Sequence, residues 1–305
     1  MRYINKSTHR AQGLAIIEEY LEDKCKDANN RYSGIGYDGR DNVSFPFYST
    51  EKGKYRKALT RILLDNQNGL CCYCLRRLKT AQDEQFSEQK ITLEHIIPRG
   101  YTSSDNVEYY QSAPGLSPND VEITDRYESI NYVQKKNIHP HKIAYNNLLI
   151  SCNGTFPNKE TQNGGRQKIC CNLVRLRKNA YPIYYLPHVS TLVAYLKDGD
   201  VQAVPGTTEF DLVDTMLTNT ELHCDSLKEI RLLWYLLRDE DIEDIVQCNA
   251  SESLRSFILS KHLFDSSSNV EIERASELVT KFSKPEYWDT FMLYSVFHNV
   301  MKAVP

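Results

Sequence analysis

The stretch that decides the fold runs from residue 71 to residue 172. It opens with Cys71-Cys72-Tyr73-Cys74 and passes through Leu93-Glu94-His95-Ile96-Ile97-Pro98. It continues in Tyr145-Asn146-Asn147-Leu148-Leu149-Ile150-Ser151-Cys152 and closes with Cys170-Cys171-Asn172. Cysteine pairs frame a carboxylate, a histidine and two asparagines. Thiolates are soft ligands that suit a structural zinc, whereas oxygen and nitrogen donors suit a hard catalytic cation. Cys71-x-x-Cys74 is a tight knuckle that can offer two thiolates to one ion. Cys152 and Cys171 are the best second pair, although the 18 residues between them exceed the usual spacing of zinc ligands. Cys72 and Cys170 stand beside the chosen cysteines and leave the set open by one position, with Cys170 the substitute if Cys152 is not a ligand. Buried free thiols are the competing reading, because unpaired Cys packs as a small hydrophobe. Cys25, Cys224 and Cys248 are isolated and read as core residues.

Outward from this stretch, composition sets the frame. The chain has 305 residues, 41% hydrophobic and 25% charged, which is ordinary for a globular protein and long enough for one large domain or two to three smaller ones. No apolar run reaches bilayer length, and Met1-Arg2-Tyr3-Ile4-Asn5-Lys6 lacks the hydrophobic core of a signal peptide, so a cytoplasmic location is expected. In a reducing compartment nine cysteines are better explained by metal or burial than by disulfides. The net charge of -3 hides an asymmetry. Residues 1–200 carry 28 Lys/Arg against 22 Asp/Glu, whereas residues 201–305 carry 9 against 18. A phosphate backbone prefers the first part, while the acidic tail points to a protein partner or a solvated surface.

Apolar spacing predicts helices over 11–24 and 54–66, the second ended by Gly69 as a C-cap. Residues 29–50 read as a loop, 91–97 as a short strand, and 99–140 as a long polar excursion with one short helix. Asn147 to Ile150 is another short apolar element, 153–169 a loop, and Cys171 to Lys178 the start of a helix. Tyr184 to Leu196 packs on the core. Helices are then expected at 210–217, 225–238, 252–262, 271–282 and 285–301. In the last of these Trp288, Phe291, Met292, Tyr294 and Phe297 form a packing surface. His139 and His141 read as surface or packing residues, with a role near phosphate as the alternative.

Glu94-His95 carries the candidate chemistry. A carboxylate can hold a divalent cation, and an imidazole titrating near neutrality can take a proton from water. Neighbours on a strand point to opposite faces, so both serve one site only where the strand ends, and Pro98 provides an end. Alone, such a pair is more often structural.

The whole constellation of Cys71-x-x-Cys74, Glu94-His95-Ile96-Ile97-Pro98, Asn147-Leu148, Cys152 and Cys171-Asn172 resembles the HNH nuclease superfamily. Met1 to Lys6 and Leu64-Asp65-Asn66-Gln67-Asn68-Gly69-Leu70 extend the likeness to the HNH proteins found with retrons and in the two-gene Septu anti-phage system, over roughly residues 1–180. The resemblance implies an α+β fold with a ββα-metal core and a structural zinc, embedded in a mostly helical protein. It implies a helical region over 1–66, the nuclease domain with its zinc staple over 67–200, and an acidic helical region over 201–305. Glu94 and Asn172 would be ligands of a catalytic magnesium or manganese, His95 the general base, and Asn147 the residue orienting it. Zinc would sit on Cys71, Cys74, Cys152 and Cys171. The implied activity is phosphodiester hydrolysis, with DNA preferred over RNA. The implied partners are an ABC/SMC-like ATPase and, in the retron context, a reverse transcriptase–msDNA complex. A tRNA-cleaving nuclease and a non-catalytic zinc-stapled scaffold are the alternatives. Two departures stand out: the interval between Cys152 and the last ligand is long, and Asn172 replaces a frequent histidine.

Overall fold

The structure is a computed structural model. It describes residues 1–25, 54–78, 91–101, 108–123, 138–157, 166–168, 170–175, 178–248, 254 and 269–304. The chain forms a mixed α+β fold in which short two-stranded sheets are set among helices. It divides into two compact units that interleave along the sequence. The first comprises Met1–Cys72, Lys79–Ser151 and Arg177–Ser190, and the second Tyr73–Leu78, Cys152–Leu176 and Thr191–Pro305.

In the first unit, α1 (Arg10–Tyr20) runs into a π turn over Leu21–Cys25. It packs on α2 (Lys54–Asn66), burying Ile17, Tyr20, Tyr55, Leu59 and Leu63. Tyr20 and Tyr55 meet edge to face at 5.6 Å. The α2 helix ends as its sequence predicts: Gly69 adopts φ 69°, and its N–H reaches back to Leu64 O at 2.8 Å, satisfying a terminal carbonyl. Then follow β1 (Ile91–His95), α3 (Glu108–Gln111), β2 (Val121–Glu122), β3 (His139–Pro140) and β4 (Leu148–Cys152). β2 and β3 pair in parallel, and β1 pairs with β4. The N-terminal segment lies against the turn that leads into β4. Lys6 Nζ donates to Leu148 O at 2.7 Å and sits 3.8 Å from the Tyr145 ring centre. Gly13 is required here, because a Cβ would lie 2.2 Å from the Tyr145 ring.

In the second unit, β5 (Thr155–Pro157) and β6 (Arg166–Lys168) form an antiparallel hairpin in which Phe156 faces Gln167. One turn of helix, α4 (Asn172–Arg175), follows. A second hairpin joins β7 (Val193–Tyr195) and β8 (Val201–Ala203). The rest is helical: α5 (Phe210–Asn219), α6 (Asp225–Leu236), α7 (Ile242–Gln247), α8 (Asn269–Phe282), α9 (Pro285–Met292) and α10 (Val296–Lys302). Their core is aromatic. Trp234 stacks on Phe291 at 4.2 Å, and Phe282, Tyr294 and Phe297 are buried around them. Pro285 opens α9, where its missing N–H is an orphan anyway.

Several expectations are corrected. Residues 153–169 are not simply a loop, since they hold the β5–β6 hairpin. The helix expected from Cys171 to Lys178 shrinks to α4, and the one over 285–301 breaks at Leu293–Ser295 into α9 and α10. Tyr184 to Leu196 contains 3-10 turns and β7. Most of the helix expected at 252–262 and the loop at 29–50 lie outside the described residues.

Candidate metal centre and the Glu94–His95 corner

The cysteine knuckle is placed by a glutamine. Gln67, at the end of α2, donates from Nε2 to Leu70 O at 2.8 Å and to Ile150 O at 2.7 Å, while its Oε1 accepts from Ile150 N at 2.8 Å. Cys72 N also donates to Ile150 O, at 3.2 Å. The knuckle is thereby tied to the middle of β4, and Cys152 ends that same strand. Leu75 then takes a left-handed turn, φ 61°, as the chain leaves the knuckle.

The distant Cys171 is returned by the β5–β6 hairpin. Gly154 starts it with φ 61° and donates its N–H to Cys152 Sγ at 3.3 Å. A Cβ at Gly154 would lie 1.8 Å from Cys170 O, so only glycine lets the returning strand close against its origin. Cys171 adopts φ 64° and donates its N–H to Thr220 O at 2.8 Å. Its carbonyl accepts from Val174 N and Arg175 N, and so starts α4. Arg175, buried, donates to Tyr73 Oη at 3.3 Å.

Cys71, Cys74, Cys152 and Cys171 are all buried, and their sulfurs lie within 4.8 Å of one another. Tetrahedral Zn–S bonds of about 2.3 Å place sulfurs roughly 3.8 Å apart. The Cys74–Cys152 separation of 3.6 Å fits that geometry. The four cysteines form a cluster able to chelate a metal ion, and an all-sulfur donor set selects zinc over hard cations. Its surroundings supply donors and charge. Tyr294 Oη donates to Cys74 Sγ at 3.6 Å. Cys170 Sγ lies 3.2 Å from Cys171 Sγ. Its contacts, with Cys152 first, hold its thiol well above the ordinary range, so it keeps its proton. Burial opposes the charge on Arg76, yet Tyr294, Cys152, Cys74 and Cys170 outweigh it and push its pKa up.

The second cluster of interest is at the end of β1. Ile96 N donates to Asn147 O at 3.1 Å, and Thr92 Oγ1 donates to Ser151 O at 3.1 Å. Stepping back along one strand matches stepping forward along the other, so β1 and β4 run antiparallel. Asn147 uses its whole side chain here. Its Oδ1 accepts from Ile97 N at 2.7 Å, and its Nδ2 donates to Ile97 O at 3.0 Å and to His141 O at 2.6 Å. It therefore fixes the backbone directly after Glu94-His95. His95 Nε2 lies 2.9 Å from Lys142 O. A carbonyl only accepts, so Nε2 carries the proton, and in the neutral ring the lone pair is on Nδ1. Glu94 is 2% exposed and His95 8%. Asn172 belongs to the second unit, where it opens α4 beside Cys171. Among the described residues no second group of His, Cys, Asp and Glu converges as the four cysteines do.

His139 and His141 are buried rather than at the surface. Burial first, then Lys142, lowers the His141 pKa to about 4. His139 Nε2 meets Glu18 Oε1 at 2.7 Å, and burial still lowers its pKa.

Gln67, Arg76, Arg175 and Tyr294 belong to the surroundings of the cysteines and were not found by sequence reasoning. Gln67 carried one signal, a polar residue between a helix and a cysteine knuckle. The other three carried none. Comparisons with protein-family models, with curated proteins and with solved structures return no match. Among the described residues no helix is long and apolar enough to cross a membrane.

Proposed function

We propose that this chain is a metal-dependent endonuclease of the HNH type, the DNA-cleaving subunit of an anti-phage complex with an ABC/SMC-like ATPase. The observation that carries the proposal is the corner where β1 ends. There Asn147 clamps Ile97 from the facing strand, directly beyond the Glu94-His95 pair. The order β1, β4, α4 also follows the ββα sequence of such a core, and a tetrathiolate cluster ends β4 and precedes Asn172. In this reading Glu94 and Asn172 hold magnesium or manganese, which would supply charge stabilisation at the phosphate. His95 accepts a proton from the attacking water at Nδ1, with its ring oriented by the Lys142 carbonyl. The cysteines hold a structural zinc. The acidic region over 201–305 faces the protein partner rather than nucleic acid.

Burial of Glu94 and His95 favours a second reading, a zinc-stapled scaffold with no reaction of its own. One assay separates the two. The purified chain, with and without the ATPase, is incubated with plasmid DNA or RNA and magnesium or manganese. His95→Ala is expected to lower cleavage by about 100- to 10,000-fold with zinc content and circular dichroism unchanged. Undiminished nicking by that variant overturns the assignment, and cleavage of RNA alone moves the substrate.

A further inference from the structure

Arg76 lies two residues past Cys74 and is 1% exposed. It donates from Nη1 to Thr155 O at 3.0 Å, the first residue of the hairpin that returns Cys171. Its Nε and Nη2 have no hydrogen-bond partner among the described residues. A dehydrated guanidinium without an anion is strongly unfavourable, and a fold keeps one only where a counter-charge meets it. The other deeply buried cations are accommodated differently. Arg231 donates to the carbonyls of Gly199 and Leu222 and lies over the Tyr195 and Phe297 rings. Lys6 has the Leu148 carbonyl and the Tyr145 ring.

The negative charge near Arg76 comes from sulfur, at Cys74 and Cys152. Four protonated thiols carry no charge. Four thiolates around a divalent ion carry about two negative charges. The anion that Arg76 needs therefore exists only when the centre is loaded. We propose that Arg76 is the buried counter-charge of the metal-loaded tetrathiolate, coupling metal binding to the folding of the unit that carries the β5–β6 hairpin. The proposal rests on the cysteines being a zinc centre and is independent of any nuclease activity. Loss of metal would leave a desolvated cation beside neutral sulfur, so the metal-free protein is penalised beyond the loss of its metal bonds.

The test compares the full-length wild type with Arg76→Met, Arg76→Lys and Arg231→Met. Zinc affinity is measured by competition with a chromogenic chelator, and thermal unfolding is followed with and without that chelator. Arg76→Met is expected to weaken zinc binding by about 10- to 100-fold. It is also expected to narrow the gap between the loaded and stripped melting temperatures, because the stripped variant no longer buries an unpaired cation. Arg76→Lys restores most of the affinity. Should Arg76→Met fail to fold, Arg76→Gln keeps a donor for Thr155 O without the charge and is read in the same way. Wild-type affinity in the neutral variants, an unchanged or wider gap, or an equal narrowing in Arg231→Met overturns the proposal. A wild-type chain that binds no zinc removes the underlying reading of the cysteines instead, and shows as zero metal in every sample.

Discussion

The cysteine centre and the Glu94–His95 corner meet the same strand, β4, at its opposite ends, yet they are held by different forces. At the Cys152 end, four thiols from distant parts of the chain converge with little direct backbone pairing between them. Their mutual repulsion, once deprotonated, is relieved only by a cation. At the Asn147 end, one amide makes three hydrogen bonds to backbone groups and needs no ion. One end is conditional on its surroundings and the other is complete in itself. Substitutions at the two ends should therefore fail in different ways.

The largest break is expected at the conditional end. Replacing both Cys71 and Cys74 with Ser removes half of the ligands of a centre whose metal contributes about 10–16 kcal/mol in comparable sites. That exceeds the whole stability of an ordinary domain, roughly 5–15 kcal/mol. The double variant should contain no zinc by elemental analysis and lose its cooperative thermal transition. Equal zinc content in variant and wild type would show that these two sulfurs hold no metal. At the other end, Asn147→Ala leaves Ile97 N, Ile97 O and His141 O without their amide partner. A cost of about 2–4 kcal/mol follows from the unsatisfied groups, read as a shift in the urea midpoint, with zinc content unchanged. Loss of zinc in that variant would mean that the two ends are not separable.

A smaller effect comes from pH. The folded pKa of His141, about 4, lies below its ordinary value of 6.5. Between those values the unfolded chain binds a proton that the folded chain refuses. Stability is full above pH 6.5 and is lost as pH falls toward 4, by up to about 3 kcal/mol for a shift of this size. Urea unfolding at pH 7 and pH 4.5 measures it, and His141→Gln should flatten that part of the dependence. An identical slope in the variant would assign the acid sensitivity to other groups.

The same contrast separates what was legible in the sequence from what was not. Cys71, Cys74, Cys152 and Cys171, singled out from their pattern, are the four that converge, because thiol chemistry marks residues whatever their fold. The end of α2 at Gly69 was also legible, since a left-handed cap is a local requirement. The β5–β6 hairpin was hidden. Its strands are three residues each and hold Pro157 and polar side chains where a strand signal would show branched ones. Gln67 and Arg76 matter through partners 83 and 79 residues away, Ile150 and Thr155, and no local pattern announces such pairs. The break between α9 and α10 has neither proline nor glycine at Leu293–Ser295, so periodicity ran through it.

The close passage of Gly154 beneath the Cys170 carbonyl has an evolutionary corollary. Because a hairpin returns to its own base, two residues added or removed symmetrically near its tip would leave Cys152 and Cys171 where they are, whereas one added residue would turn the ladder over. Kin of this chain should vary in the length of that insertion by even steps while keeping a glycine at its root, and search patterns written with a fixed gap would overlook them.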